Sequence, residues 1–290
     1  MAKIAVVTGA TRNLGLSLAK GLAARLAPSD VVYLTGRDTT RIADAVRLAS
    51  GTAATVLGET LDVSKLGAVE RFATLLAKRH GGVDLVFSNH YLRTQPNDDP
   101  ASVIDNYVEA NNLGTTRVLR NFAPILRDEG RLLVIASRAG SLRALAPVLH
   151  TRFQRPQTLD ELDRAICTWR DEVRSGLAAG RAWPAWINIP SKIGQVAAVR
   201  ILAAERRQKD LNRGILIAAI SPGLIDTGAS RSWLDLRNAP GPDEVANGVL
   251  DFAVAEKFDE SHYGALVHVG RQETSSLGVD LTAGEVVPWV

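Results

Sequence analysis

Seven apolar runs rich in β-branched residues punctuate the 290-residue chain, separated by segments whose apolar side chains recur at helical spacing. The runs are 3–8 (KIAVVT), 30–35 (DVVYLT), 53–61 (AATVLGETL), 83–88 (VDLVFS), 131–136 (RLLVIA), 214–220 (GILIAAI) and 264–269 (GALVHV). Such short, continuous apolarity predicts strands buried on both faces, the pattern of a parallel sheet. Between the runs, Leu14, Leu18 and Leu22 share one helical face, as do Ile193, Val196, Ala197 and Ile201. This alternation predicts an α/β fold: one doubly wound, seven-stranded parallel sheet with helices on both faces and right-handed crossovers. No repeat or low-complexity tract interrupts it, so residues 1–290 are expected to form a single domain.

Residues 139–185 break the rhythm. They contain no strand run, and "TLDELDRAICTWRDEVRSGLAAG" sets Leu159, Leu162, Ile166, Trp169 and Val173 on one face behind a capping residue, Thr158. A structureless loop of that length is uncommon in a compact domain. The segment is therefore expected to be a helical insertion over the ligand-binding end of the sheet, its apolar stripe used for packing.

Composition narrows the function classes. With 46% hydrophobic and 22% charged residues the chain reads as a soluble globular protein. The net charge of +3 is spread among acids, as in "RRQKDLNR", and forms no basic patch with aromatics, which argues against nucleic acid. Cys167 is the only cysteine, excluding an internal disulfide and a cysteine-based metal cluster and fitting a reducing cytoplasm. The five histidines are scattered without zinc-site spacing. No apolar stretch approaches the roughly 20 residues that cross a bilayer.

In "VVTGATRNLG" the first run ends at Thr8 and Gly9, passes Thr11, Arg12 and Asn13, and opens a helix at Leu14 and Gly15. A tight glycine turn at a helix N-terminus brings unpaired N–H groups close to an anion, and after the first strand of a Rossmann-type sheet that anion is a dinucleotide pyrophosphate. The second run closes in "YLTGRD", where an acid would hold the ribose of NAD and repel a 2′-phosphate. Here Thr35 and Gly36 are neutral and Arg37 is basic, and Arg12 adds a second guanidinium. NADP(H) is the expected cofactor. Asp62 and Val63, after the third run, are placed to clasp adenine.

These motifs resemble the short-chain dehydrogenase/reductase family along nearly the whole chain. "TGATRNLG" is similar to that family's glycine-rich turn and "LDV" to its adenine loop, while "SNHY" (Asn89 to Tyr91) stands where the family has Asn-Asn-Ala-Gly. The resemblance implies that Asn111 is the structural and proton-relay asparagine, Ser137 the catalytic serine and Lys192 the catalytic lysine. It also implies that "SPGLIDT", with Pro222, Gly223, Ile225 and Thr227, lies beside the nicotinamide. The insertion further resembles the carbonyl reductase and menthone/salutaridine reductase branch, which implies a monomer.

The family's tyrosine, four residues before the lysine, is here Asn188. An amide donates hydrogen bonds but does not release a proton near neutrality, and losing a general acid costs on the order of 10²- to 10⁴-fold. Three readings remain open. The first is a reductase of conjugated C=C, C=N or C=O bonds whose anion Asn188 and Ser137 stabilise. In the second, Tyr91 or His90 is a substitute acid, with Tyr91 tuned by Lys192. The third is a cofactor-binding protein with a non-redox isomerase, cyclase or regulatory role. Trp169, Trp183 and Trp186 are expected to wall an apolar pocket for a bulky hydrophobic substrate of specialised metabolism.

Overall fold

Each apolar run becomes a strand in the computed structural model, which describes residues 1–228, 230–233, 236–271, 273–274 and 280–290. The strands are β1 (Ile4–Val7), β2 (Val31–Gly36), β3 (Thr55–Thr60), β4 (Val83–Ser88), β5 (Leu126–Ile135), β6 (Leu216–Ser221) and β7 (Leu266–His268). They pair in parallel in the order β3-β2-β1-β4-β5-β6-β7. The short β8 (Glu273–Thr274) and β9 (Asp280–Leu281) pair only with each other, and β10 (Val286–Val287) adds antiparallel to β7. The seven parallel strands thus carry an eighth, antiparallel one at their edge.

The helices are α1 (Asn13–Arg25), α2 (Thr39–Ala49), α3 (Ala68–His80), α4 (Pro100–Val108), α5 (Gly114–Phe122), α6 (Thr151–Gln154), α7 (Leu159–Arg174), α8 (Asn188–Leu211) and α9 (Pro242–Val254). Central β1 and β6 are buried along their whole length, as strands covered on both faces must be. At the sheet edge β3 differs from the expectation of full burial: Val56 is buried while Thr55 and Leu57 are exposed. With one neighbour and one covered face, an edge strand needs apolar side chains only at alternate positions. β5 also begins well before its apolar run, through the polar residues Arg127 to Glu129, which carry no strand signal.

Thr158 caps α7 as its position suggests, its side chain accepting from the Glu161 N–H at 3.2 Å. The stripe of Leu159, Leu162, Ile166, Trp169 and Val173 is buried, and α7 packs against α4 and α8. Residues 139–185 nevertheless contribute no side chain to the lining of the main cleft. The insertion packs against the helices that carry Tyr107 and Lys192.

Candidate active site

β1 and β4 are neighbours in the sheet, yet the chain leaves β1 towards β2 and β4 towards β5. Their carboxyl-terminal loops therefore part, which opens a crevice at the switch in strand order. A cleft of about 290 Å³ lies there, lined by Gly9 after β1, Asn89 after β4, Ser137 after β5 and Pro222 after β6.

One arm of the cleft is a cradle of backbone. Gly9 has φ +64°, and a Cβ there would lie 2.7 Å from the His90 Cα; one at Gly15 would lie 2.4 Å from the Gly9 carbonyl oxygen. Both glycines are thus required by close approach as well as by the turn. Asn13 takes the left-handed conformation with φ 48°, tolerated by asparagine better than by most residues with a side chain. The Asn89 amide ties the loop together, Nδ2 donating to the carbonyls of Thr8 and Gly9, each at 3.2 Å. At the start of α1, Arg12 makes no side-chain cap and the first turn carries no acid, so its amide donors stay available to an anion. Arg12, Asn13, Leu14 and Gly15 all border the cleft, as do Gly223, Ile225 and Thr227 on the opposite loop. This cradle fits a dinucleotide pyrophosphate.

Thr11, Arg37, Asp62 and Val63 stand outside the lining. A Cβ on Gly36 would lie 2.6 Å from Thr11 Cγ2, so the first turn packs directly on the end of β2, where Arg37 is exposed. The Asp62 carboxylate accepts from the Ser64 N–H and hydroxyl at 3.0 and 2.6 Å, holding the loop after β3.

The other arm carries Tyr91, Asn188 and Lys192. Asn188 opens α8 and Lys192 follows one turn later. The Tyr91 hydroxyl donates to Asn188 Oδ1 at 2.8 Å and lies 2.8 Å from the Tyr107 hydroxyl, itself 3.4 Å from the same Oδ1. Lys192 is buried; its Nζ donates to the Ile135 carbonyl at 3.1 Å and sits 4.7 Å from the Tyr91 ring centroid. Burial, then the nearby Arg93 charge, brings its pKa down to about 7. Tyr91 is not tuned downward as expected: burial pushes its phenol up, against lowering by the Tyr107 hydrogen bond and Arg93. Ser137 accepts from the Ala139 N–H at 3.2 Å and borders the cleft.

Asn111 does not reach the cleft lining. It sits fully buried in a π turn (Glu109–Leu113) between α4 and α5 and grips the Leu92 peptide, accepting its N–H at 2.7 Å and donating to its carbonyl at 2.9 Å. It thereby fixes the segment that bears Tyr91 and Arg93. His90 is buried with its Nδ1 2.9 Å from the Thr8 hydroxyl, and burial, then Lys192, lowers its pKa to about 4. That environment makes it a neutral anchor of the β1 and β4 loops.

Of the tryptophans expected around a pocket, only Trp186 lines the cleft, stacked on Trp233 at 5.7 Å between centroids. Trp169 and Trp183 are buried in the insertion against each other, 5.9 Å between centroids, because their rings complete the α7 stripe. Arg93, Thr94, Tyr107, Ser230 and Trp233 escaped the sequence reading. Tyr107 alone left a signal, one helical turn before Asn111.

Comparison with known proteins agrees with this fold. The short chain dehydrogenase family profile matches residues 3–147, half of the chain, and the chain belongs to that family. Carbonyl reductase (NADPH) 1 of Homo sapiens is 26% identical over 276 residues, covering 93% of this chain and 97% of that protein. The Mus musculus protein of the same name is 28% identical over 271 residues, covering 91% and 95%. Among solved structures, the menthone neomenthol reductase of Mentha piperita matches with a TM-score of 0.72 at 18% identity, covering 93% of this chain and all of that one. A short-chain dehydrogenase/reductase of Serratia marcescens gives 0.66 at 17% identity, covering 92% and 96%.

Proposed function

We propose that this chain is an NADP(H)-dependent oxidoreductase that reduces a carbonyl or conjugated double bond, and that Tyr91 provides the phenol missing at position 188. The observation that carries the reading is the Tyr91 hydroxyl, held 2.8 Å from Asn188 Oδ1 on the cleft wall. NADPH relatives covering nearly the whole chain, the Gly9 to Gly15 cradle and the acid-free end of β2 support the cofactor.

Arg12 and the amides that open α1 would hold the pyrophosphate, Arg37 the 2′-phosphate, Asp62 and Val63 the adenine, and Lys192 the nicotinamide ribose. When bound, the reduced coenzyme supplies the hydride. The protein's task is to receive the substrate oxygen and protonate it. Ser137 donates a hydrogen bond to that oxygen as negative charge develops. Tyr91 gives it a proton, and the resulting phenolate is held by a hydrogen bond from Tyr107 and by the Lys192 charge beside the ring. Asn188 suits this exchange because one amide can accept from the phenol and, after rotation, donate to the phenolate. Water restores the proton once product leaves. The stacked Trp186 and Trp233 offer an apolar wall for a hydrophobic substrate, and we read the chain as a monomeric, single-domain enzyme.

Tyr91→Phe tests the reading. With NADPH and a series of ketones and enones, turnover should fall about 10²- to 10⁴-fold, the range for loss of a general acid, while NADPH affinity by nucleotide fluorescence stays unchanged. Unaltered turnover would remove Tyr91 from the chemistry. Absence of NADPH oxidation by the wild-type protein with every substrate class would favour a non-redox role.

A further inference from the structure

Among the described residues, the charged ones that line the cleft are Arg12, Arg93 and Lys192, with no aspartate or glutamate beside them. Arg12 stands at the start of α1 and Lys192 under the Tyr91 ring, both within the parts already assigned. Arg93 is left over. Its Nη1 donates to the Ser230 hydroxyl at 2.8 Å, and its guanidinium carbon lies 5.9 Å from the Tyr91 ring centroid. Among the described residues no carboxylate pairs with it, and burial lowers its pKa. Other partly buried arginines are neutralised: Arg117 by Glu109, Arg127 by Asp84 and Arg206 by Asp210. Arg131, which likewise has no carboxylate partner among the described residues, instead donates to the carbonyls of Glu129 and Gly214. Among the described residues Arg93 has one neutral hydrogen-bond partner, the Ser230 hydroxyl, at a site where solvent is partly excluded. Desolvating a cation without a counter-ion is unfavourable, and a guanidinium fork matches the two oxygens of a carboxylate.

The surroundings fix where that anion would sit. Ser230 is held by the Thr227 hydroxyl at 2.7 Å, which sets the direction of the Arg93 fork. Trp233 donates from Nε1 to the Thr94 carbonyl at 3.1 Å, so the stacked Trp186–Trp233 pair is anchored to the residue next to Arg93. An apolar slab and a cation with no carboxylate partner among the described residues therefore share one cleft, the cation beside the Tyr91 ring.

Resting on the oxidoreductase reading, we propose that Arg93 binds the carboxylate of the substrate, so that this cleft takes hydrophobic oxo or unsaturated carboxylic acids. The apolar body lies on Trp186 and Trp233, the carboxylate on Arg93, and the reducible bond falls between them near Tyr91.

The test is a pair of non-reducible probes, benzoate and benzamide, titrated by calorimetry into the wild-type protein, Arg93→Gln and Arg93→Lys, each with and without saturating NADP⁺. Benzoate should bind the wild type about tenfold or more tightly than benzamide, the scale of a charge-assisted pair. Arg93→Gln should abolish that preference with NADP⁺ affinity unchanged, and Arg93→Lys should restore part of it. Equal binding of the two probes by the wild type, or a preference that survives in Arg93→Gln, overturns the proposal. So does a parallel loss of NADP⁺ and benzoate affinity, which would assign Arg93 to a coenzyme phosphate. Failure of the wild type to bind NADP⁺ would sink the oxidoreductase reading instead, while the coenzyme-free titrations still decide Arg93.

Discussion

Removing one oxygen from Tyr107 separates a hydroxyl chain from a single acting phenol. Tyr107 is fully buried on α4, with its hydroxyl 2.8 Å from that of Tyr91 and 3.4 Å from Asn188 Oδ1. It reaches the cleft only through Tyr91 and Asn188, so it is a positioning residue. In Tyr107→Phe, Tyr91 still has Asn188 as a partner, and the loss is one neutral hydrogen bond, about 1 kcal/mol. If that bond is realised in full as Tyr91 gives up its proton, kcat falls about fivefold. The Tyr107 hydrogen bond also draws the Tyr91 pKa down against burial, so its removal raises that pKa. Tyr91 acts in its protonated form and activity is lost as pH rises through its pKa. The alkaline limb of the rate profile should therefore move to higher pH in Tyr107→Phe. Once Tyr91 is phenylalanine, the Tyr107 hydroxyl has no acting phenol to hold, and the double variant should be no slower than Tyr91→Phe alone. The assay follows oxidation of NADPH by absorbance across pH for the three variants and the wild type. Losses that multiply in the double variant, or an alkaline limb that stays in place, would refute the chain.

Arg37→Asp should weaken NADPH by on the order of 10²-fold while leaving NADH within a few fold, because the new carboxylate repels a 2′-phosphate and accepts from a 2′-hydroxyl. Fluorescence titration of both nucleotides checks it, and parallel weakening would contradict the phosphate assignment. His90 has a folded-state pKa depressed from 6.5 to about 4, so its contribution to stability is present above pH 6.5 and is lost as pH falls through about 4. The gap corresponds to about 3 kcal/mol at most. Urea midpoints measured between those pH values should slope less steeply in His90→Gln than in the wild type, and identical slopes would show that burial of His90 does not drive acid sensitivity.

The frame of this protein was legible because local rules decide it. Buried parallel strands need uninterrupted apolar runs, and Ala5 to Val7 or Ile217 to Ile220 leave no other assignment. Thr158 and the α7 stripe were equally plain, since capping and helical period act within a few residues. The cradle was legible for a similar reason: Gly9 and Gly15 are dictated by backbone contact inside one turn. The errors came where neighbours in space decide. β3 is half exposed because it lies at an edge, a matter of strand order that its own residues do not encode. Trp183 turned inward because Trp169 and Glu172 of α7 were there to receive it, Glu172 accepting from its Nε1 at 2.5 Å.

The reactive arm is the extreme of that second kind. Tyr91 and Asn188 are 97 residues apart, and no spacing relates them. What brings them together is the sheet. In a parallel sheet every strand ends on the same side, so the loop after β4 and the start of α8 face one crevice from different directions. In the proposed reading, a phenol that the helix does not carry is supplied from a strand end without disturbing either element, provided its hydroxyl arrives at the same place. Asn188 then has a use of its own: it is short enough to leave room for a ring and polar enough to hold its oxygen. Fold and chemistry are separable to this extent, and the Asn111 grip on the Leu92 peptide fixes the segment from which Tyr91 would act in the proposed reading.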